Sequence, residues 1–171
     1  MRKLLFLLAL ILGAQVYTQA QRTVYVDTKY ILDNMPEYAE ANSALDGMTL
    51  QWKDEIANLR AQVEELKSEF KQNELLLTEA QKVKKASEIK SKEKELFMLK
   101  DKRFGIKGDL YKKQQDLIQP LQDKVYSAIK KMAEQRDYDF VLDKSKGVSI
   151  LYAKSKYDMS DEVLRIVKNM K

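Results

Sequence analysis

The sequence has no cysteine and no histidine, and only two prolines and five glycines in 171 residues. Without a thiol there is no disulfide, no thiolate nucleophile and no cysteine-held cluster. Without imidazole there is no Ser–His–Asp arrangement and none of the usual zinc sites. The glycines, at 13, 47, 105, 108 and 147, form no phosphate-cradling loop, and no G-x-x-x-x-G-K-[ST] motif occurs. What remains is 33% charged and 44% hydrophobic, rich in Lys, Glu, Leu and Gln. That is the composition of long helices in a chain of about one domain.

The start reads as an export signal. Arg2 and Lys3 precede an unbroken apolar run over 4–12, and Thr18-Gln19-Ala20 offers small residues for cleavage. The run falls short of the ~20 apolar residues of a spanning helix. A signal peptide over 1–20 is expected, with a soluble mature chain starting near Gln21 outside the cytoplasm. No cysteine follows the run to carry a lipid anchor. Loss of Arg2 and Lys3 leaves 29 basic residues against 26 acidic ones, a net charge of +3 and too little to indicate nucleic acid.

Thr23-Val24-Tyr25-Val26-Asp27 alternates as a short strand. From 37 to 136 the pattern is helical, with Pro120 expected to kink it. Leu45, Trp52, Leu59 and Leu66 recur every seven residues, as do Ile56, Val63, Phe70 and Leu77. The interleaved spacing is a coiled-coil seam. A rougher second series runs Leu96, Leu99, Ile106, Leu110, Leu117, Leu121, Val125, Ile129 and Met132. Folded back as an antiparallel hairpin, Leu45 faces Leu117, Trp52 faces Leu110, Ile56 faces Ile106, Val63 faces Leu99 and Leu66 faces Leu96. The reversal then falls near residue 81, giving a tip near 78–84 and an arm of ~65 Å at 1.5 Å per residue.

A two-helix arm of that length cannot bury a core alone. The base is expected from 21–36 and 137–171: strands over 138–143 and 148–153, a turn over 144–147, and a helix from Ser160 with the stripe Val163, Ile166, Val167 and Met170. Phe140 and Leu142 share one strand face, as do Val148, Ile150 and Tyr152. Together with Val24 and Val26 they form the expected base for oligomerisation, because exposed strand edges invite a second chain.

The layout resembles the OmpH/Skp family of periplasmic chaperones. The matching residues are Val24-Tyr25-Val26-Asp27, Tyr30-Ile31-Leu32, Met35-Pro36-Glu37-Tyr38, Pro120-Leu121, Tyr138-Asp139-Phe140-Val141-Leu142-Asp143 and Ser160-Asp161-Glu162-Val163-Leu164. The resemblance implies a mainly α protein with a small β-body, joined as a jellyfish-shaped homotrimer whose helical-hairpin arms enclose a cavity. It further implies a periplasmic holdase, working without ATP or any cofactor, for unfolded outer-membrane β-barrel proteins. No catalytic residue is implied, and none is expected from the residues. Glu64-Glu65 and Glu93/Glu95 lie on charge-mixed helical surface rather than as paired acids in a pocket.

Two sets of arm residues are candidate contacts. Residues 37–66 hold seven acids and two bases, whereas 81–103 hold nine bases and four acids. The nine, Lys82, Lys84, Lys85, Lys90, Lys92, Lys94, Lys100, Lys102 and Arg103, suit client carboxylates or an anionic lipid or lipopolysaccharide surface. Leu75, Leu76, Phe97, Met98 and Phe104 fall outside the seam and suit apolar client segments. Gly105 and Gly108, read as lying within a helix, serve either as a hinge or as room for Trp52. The competing reading is a structural coiled-coil spacer or tether of the envelope. Nucleic acid is not an expected partner, since the chain is exported and shows no aromatic–basic reading surface.

Overall fold

The computed structural model describes residues 21–145, 147 and 150–170, so the signal segment and Val148 lie outside the described residues. The elements are β1 (Thr23–Val26), α1 (Thr28–Asp33), α2 (Pro36–Asn73), α3 (Glu79–Phe104), α4 (Asp109–Arg136), β2 (Phe140–Asp143) and α5 (Ser160–Asn169). Single 3-10 turns occupy Glu74–Leu76 and Ser155–Tyr157. The fold is mostly helical with one small strand pair.

Local chemistry explains each boundary. The Asp27 carboxylate accepts from the Tyr30 N–H at 2.9 Å and caps α1. Pro36 opens α2, where its missing N–H costs nothing. Thr78 and Gln81 form a reciprocal capping box that starts α3. The chain therefore reverses over 74–78, earlier than the expected centre at residue 81. α4 continues as helix through Pro120 and ends at Asp137, whose φ of 56° and N–H to the Ala133 carbonyl close the last turn.

The expected unbroken return helix is instead two helices. Gly105 ends α3 and Gly108 caps α4. Both have ordinary negative φ, −65° and −71°, so neither is needed for backbone freedom. They are needed for space. A Cβ on Gly105 would collide with the Asp101 carbonyl, and one on Gly108 would lie 2.8 Å from the Lys102 carbonyl oxygen. The room they leave is taken by neighbouring backbone, not by Trp52. The break also puts Ile106 outside the seam, 93% exposed, so its expected pairing with Ile56 does not form.

β1 and β2 pair in parallel, Thr23 with Phe140 through Val26 with Asp143, and Tyr25 bridges to Asp158 on the other edge of β1. The alternation sends Val24, Val26 and Val141 inward and leaves Phe140 and Leu142 on the opposite face. Val24 and Val26, at 3% and 1% exposure, are thus inside the protomer rather than on an oligomer surface. The expected third strand is absent from the described part of its span: Ile150 and Tyr152 lie in irregular chain, with Tyr152 exposed. β1 already has a neighbour on each edge, so among the described residues the outer edge of β2 is the open one.

The core gathers Val26, Ile31, Leu32 and Met35 from the N-terminal end, Val125, Ala128 and Met132 from α4, and Val163, Leu164 and Val167 from α5. Beside it, Ser160 Oγ accepts from the Asp27 N–H at 2.9 Å and donates to Asp158 Oδ1 at 2.5 Å. Thr28 Oγ1 donates to Asp143 at 2.7 Å. Burial pushes both carboxyls up, but hydrogen bonds outweigh it. Ser160 and Lys144 hold Asp158 below the ordinary aspartate value, and Thr28 and Ser145 do the same for Asp143.

Met132 is fully buried, so Met132→Ala is expected to destabilise the base by about 2–5 kcal/mol in urea unfolding. Because Asp143 and Asp158 have lowered folded values, their contribution is complete above the ordinary 3.8 and is lost as pH falls through the folded values beneath it. Acid unfolding followed by circular dichroism should therefore weaken the base below pH 3.8. Asp158→Asn should flatten that acid limb while lowering stability at neutral pH.

Candidate functional site

The seam between α2 and α3 is asymmetric. Along it α2 buries Ile56, Leu59 and Val63, whereas α3 buries no side chain. The face α3 turns to α2 is marked by half-burial at Lys82, Lys85, Ile89, Lys92, Leu96, Leu99 and Arg103, alternately three and four apart. Two ion pairs fix the register: Lys67 to Glu93 at 2.8 Å and Arg103 to Glu55 at 3.0 Å. The hydrogen bond from Lys67 to Glu93, with further help from Glu64, raises that ammonium above the ordinary lysine value.

Arg103 ties the three long helices together. Its guanidinium reaches Glu55 on α2, Asp109 at the start of α4 at 2.6 Å, and the face of Trp52 at 5.2 Å. Phe104 meets Trp52 edge-on, 6.2 Å between centroids. The Gly105–Gly108 break is pinned from both sides by this cluster.

The candidate contacts divide into groups. Leu75 and Leu76 form the tip and are 98% and 82% exposed. Phe97 and Met98 are exposed on α3, and Phe104 less so because of Trp52. Val83, exposed at 69%, lies on the same helix face as Phe97 and Phe104, fourteen and twenty-one residues before them. Its periodicity with Phe97 was visible in the sequence, but a lone valine among lysines gave no reason to single it out. Ile106 and Leu50 join the exposed apolar set only because the helix break and the register expose them.

The nine bases do not form one patch. Lys82, Lys85 and Lys92 lie in the seam and pair with Glu79, Glu88 and Glu95 of their own helix, and Arg103 is held in its cluster. Helical phase turns these four toward α2, so they differ in setting from the rest of the nine. Lys84, Lys90, Lys94 and Lys102 face solvent, and Lys100 is half-buried beside Ile56, Arg60 and Phe104. None of these five makes an ion pair among the described residues.

Fold and surface define an elongated helical-hairpin protein whose apolar and cationic groups are spread along an arm rather than gathered in a cleft. The family model for outer membrane protein (OmpH-like) matches residues 22–167, and the chain belongs to that family. It is 27% identical over 173 aligned residues to the chaperone protein Skp of Vibrio cholerae serotype O1, covering 96% of this chain and 94% of that one. A crystal structure from Caulobacter crescentus CB15, of a candidate outer membrane chaperone (OmpH-like), has the same fold. It matches with a TM-score of 0.69 at 11% identity, over 91% of this chain and 93% of the other.

Trp52 is the sole tryptophan, so its emission reports the α3–α4 junction alone. Arg103→Ala is expected to shift that emission to longer wavelength and increase acrylamide quenching with little loss of helix signal. Arg103→Lys, which keeps the charge and loses the fork, should fall between.

Proposed function

We propose that the chain is an ATP-independent holdase chaperone of the periplasm that keeps unfolded outer-membrane β-barrel proteins from aggregating. The observation that carries this reading is the set of large apolar side chains exposed on a strongly charged arm, Leu75, Leu76, Phe97 and Met98 foremost. A spacer has no use for such residues, which cost solubility and invite association. A holdase needs them spread out, because an unfolded client offers many small apolar segments and no fixed shape. Membership of the OmpH-like family, and a relative named as a chaperone, support the same reading. Export by residues 1–20 supplies the compartment.

The working form is a homotrimer whose arms enclose the client. Support comes from the base, where β2 has an open edge, Phe140 is half exposed, and Leu151 and Tyr152 are 98% and 81% exposed. An open strand edge and exposed large apolar side chains are both suited to join a second copy. Lys84, Lys90, Lys94 and Lys102 give the arm a second set of contacts, to client carboxylates or to anionic lipid or lipopolysaccharide. Each contributes ~1 kcal/mol near an anionic surface, and several arms together gain from multivalency.

Light scattering of the mature protein should give a mass near three subunits. Diluting a urea-unfolded outer-membrane β-barrel protein into it, without ATP, should yield a soluble complex of defined size. A monomer that leaves the client to aggregate would overturn both parts of the reading.

A further inference from the structure

The half of the seam nearest the tip is built differently from the half nearest the base. On α2 the last buried side chain is Val63; beyond it Leu66 and Phe70, and Leu77 just past the 3-10 turn, are only half-buried. Opposite them, the four positions of α3 nearest the tip that face α2 are Lys82, Lys85, Ile89 and Lys92. Three of the four are lysines where a stable two-helix seam takes leucine or isoleucine. A lysine there covers apolar neighbours with its methylene stem while its ammonium reaches for water. Consistent with that, the side chains of Lys82, Lys85 and Lys92 keep 30%, 39% and 37% of their exposure.

The charges on these lysines do not tie the helices together. Each pairs three residues away within α3, with Glu79, Glu88 and Glu95. Among the described residues, the one ion pair across this part of the seam is Lys67 to Glu93, and both partners are well exposed. Parting α3 from α2 beyond Val63 therefore breaks almost no charge pairing and hydrates three ammonium groups more fully. It also uncovers Leu66 and Phe70 of α2, together with Leu77 just beyond the terminal turn.

We propose that this distal seam is an exchangeable cover. α3 lifts from α2 beyond Val63, and an unfolded segment bearing apolar side chains interspersed with carboxylates takes its place against Leu66, Phe70 and Leu77. Its acidic groups meet Lys82, Lys85 and Lys92, and this charge complementarity selects acidic over basic segments. The proposal rests on the holdase reading and deepens it, since it adds a binding surface inside the arm to the outward-facing Phe97 and Met98. The opening uses no energy source, because the closed seam is only weakly favoured over the open one.

Two measurements on the full mature protein test it. In hydrogen exchange without client, amides over 66–96 should exchange through local opening, and faster than those over 41–63. Lys85→Leu with Lys92→Leu, which seals the seam, should slow the distal set roughly tenfold. The control Lys84→Leu with Lys94→Leu removes the same charge from outward positions and should leave exchange unchanged. Equal protection along the arm, or no slowing in the sealed variant, overturns the proposal whatever the client does.

The second measurement uses p-benzoylphenylalanine placed at Phe70 or at Phe97. The probe is a short unfolded peptide alternating Phe or Leu with Glu, beside a copy with Lys for Glu. Photocrosslinking of the acidic peptide at both positions, with the basic copy weaker at Phe70 and the sealed variant losing only the Phe70 product, is the expected result. Crosslinking at Phe97 alone refutes the seam surface while leaving the holdase reading intact. If neither position captures peptide and the unfolded β-barrel protein also aggregates, the holdase reading itself has failed.

Discussion

Two helices lying side by side share a single seam, and everything else about this protein follows from that limit. A helix in a globular domain can bury a broad stripe, but a helix in a two-stranded arm has one neighbour and one narrow strip of contact. The arm can therefore hide only part of its apolar content. Leu75, Leu76, Val83 and Phe97 are wet because there is nothing to cover them within one chain. The same limit makes the arm dependent on its base, where Ile31, Met35, Met132, Val163 and Val167 are sealed from water. Stability is concentrated at one end of the molecule and accessible surface at the other.

The middle of the arm is where these two regimes meet. α2 passes through without interruption, but the returning chain breaks at Gly105 and Gly108. The break is held by contacts that are specific rather than extensive: a guanidinium shared between Glu55 and Asp109, stacked on Trp52. On the base side of this point the returning chain buries residues, beginning with Val125; on the tip side it buries none. Burial of apolar side chains in the returning chain therefore falls off with distance from the base. That gradient is the physical counterpart of a molecule that keeps its shape at one end and adapts at the other.

Much of this could be read from residue spacing alone. The heptads over 45–77 and the alternation over 23–27 specify helix and strand because their periods differ. The family match over residues 22–167 agrees with the resemblance carried by the short motifs at both ends. Three features were not legible, each for a separate reason. The parallel pairing of β1 with β2 joins segments more than a hundred residues apart, so no local signal encodes it. The reversal at 74–78 is set by the Thr78–Gln81 capping box, which competes with a hydrophobic register that works almost as well a few residues away. The glycines at 105 and 108 read as interruptions inside a helix because their need for space arises only once the backbone has turned on itself. The number of basic residues on α3 is legible in the sequence, but a charge count ignores helical phase and does not separate seam from solvent face.

Phase separates those lysines into two physical kinds, and the distinction bears on how the proposed ATP-independent holdase would release a client. Fully burying a large apolar side chain gives about 1.5–3 kcal/mol, and a contact on an exposed helix face gives a fraction of that. Ordering a flexible client segment offsets much of the gain. Contacts of this size hold a chain only when many act together, and each can be lost separately. A client that begins to bury its own apolar residues removes them from the arm one at a time, and the bound state weakens without any change of state in the chaperone. Deep, well-shaped pockets would defeat this, because a single tight contact has to break in one step. The incomplete seam, the exposed leucines at the tip and the scattered outward lysines share one property. In the proposed holdase each is a contact weak enough for the folding of the client to compete with it.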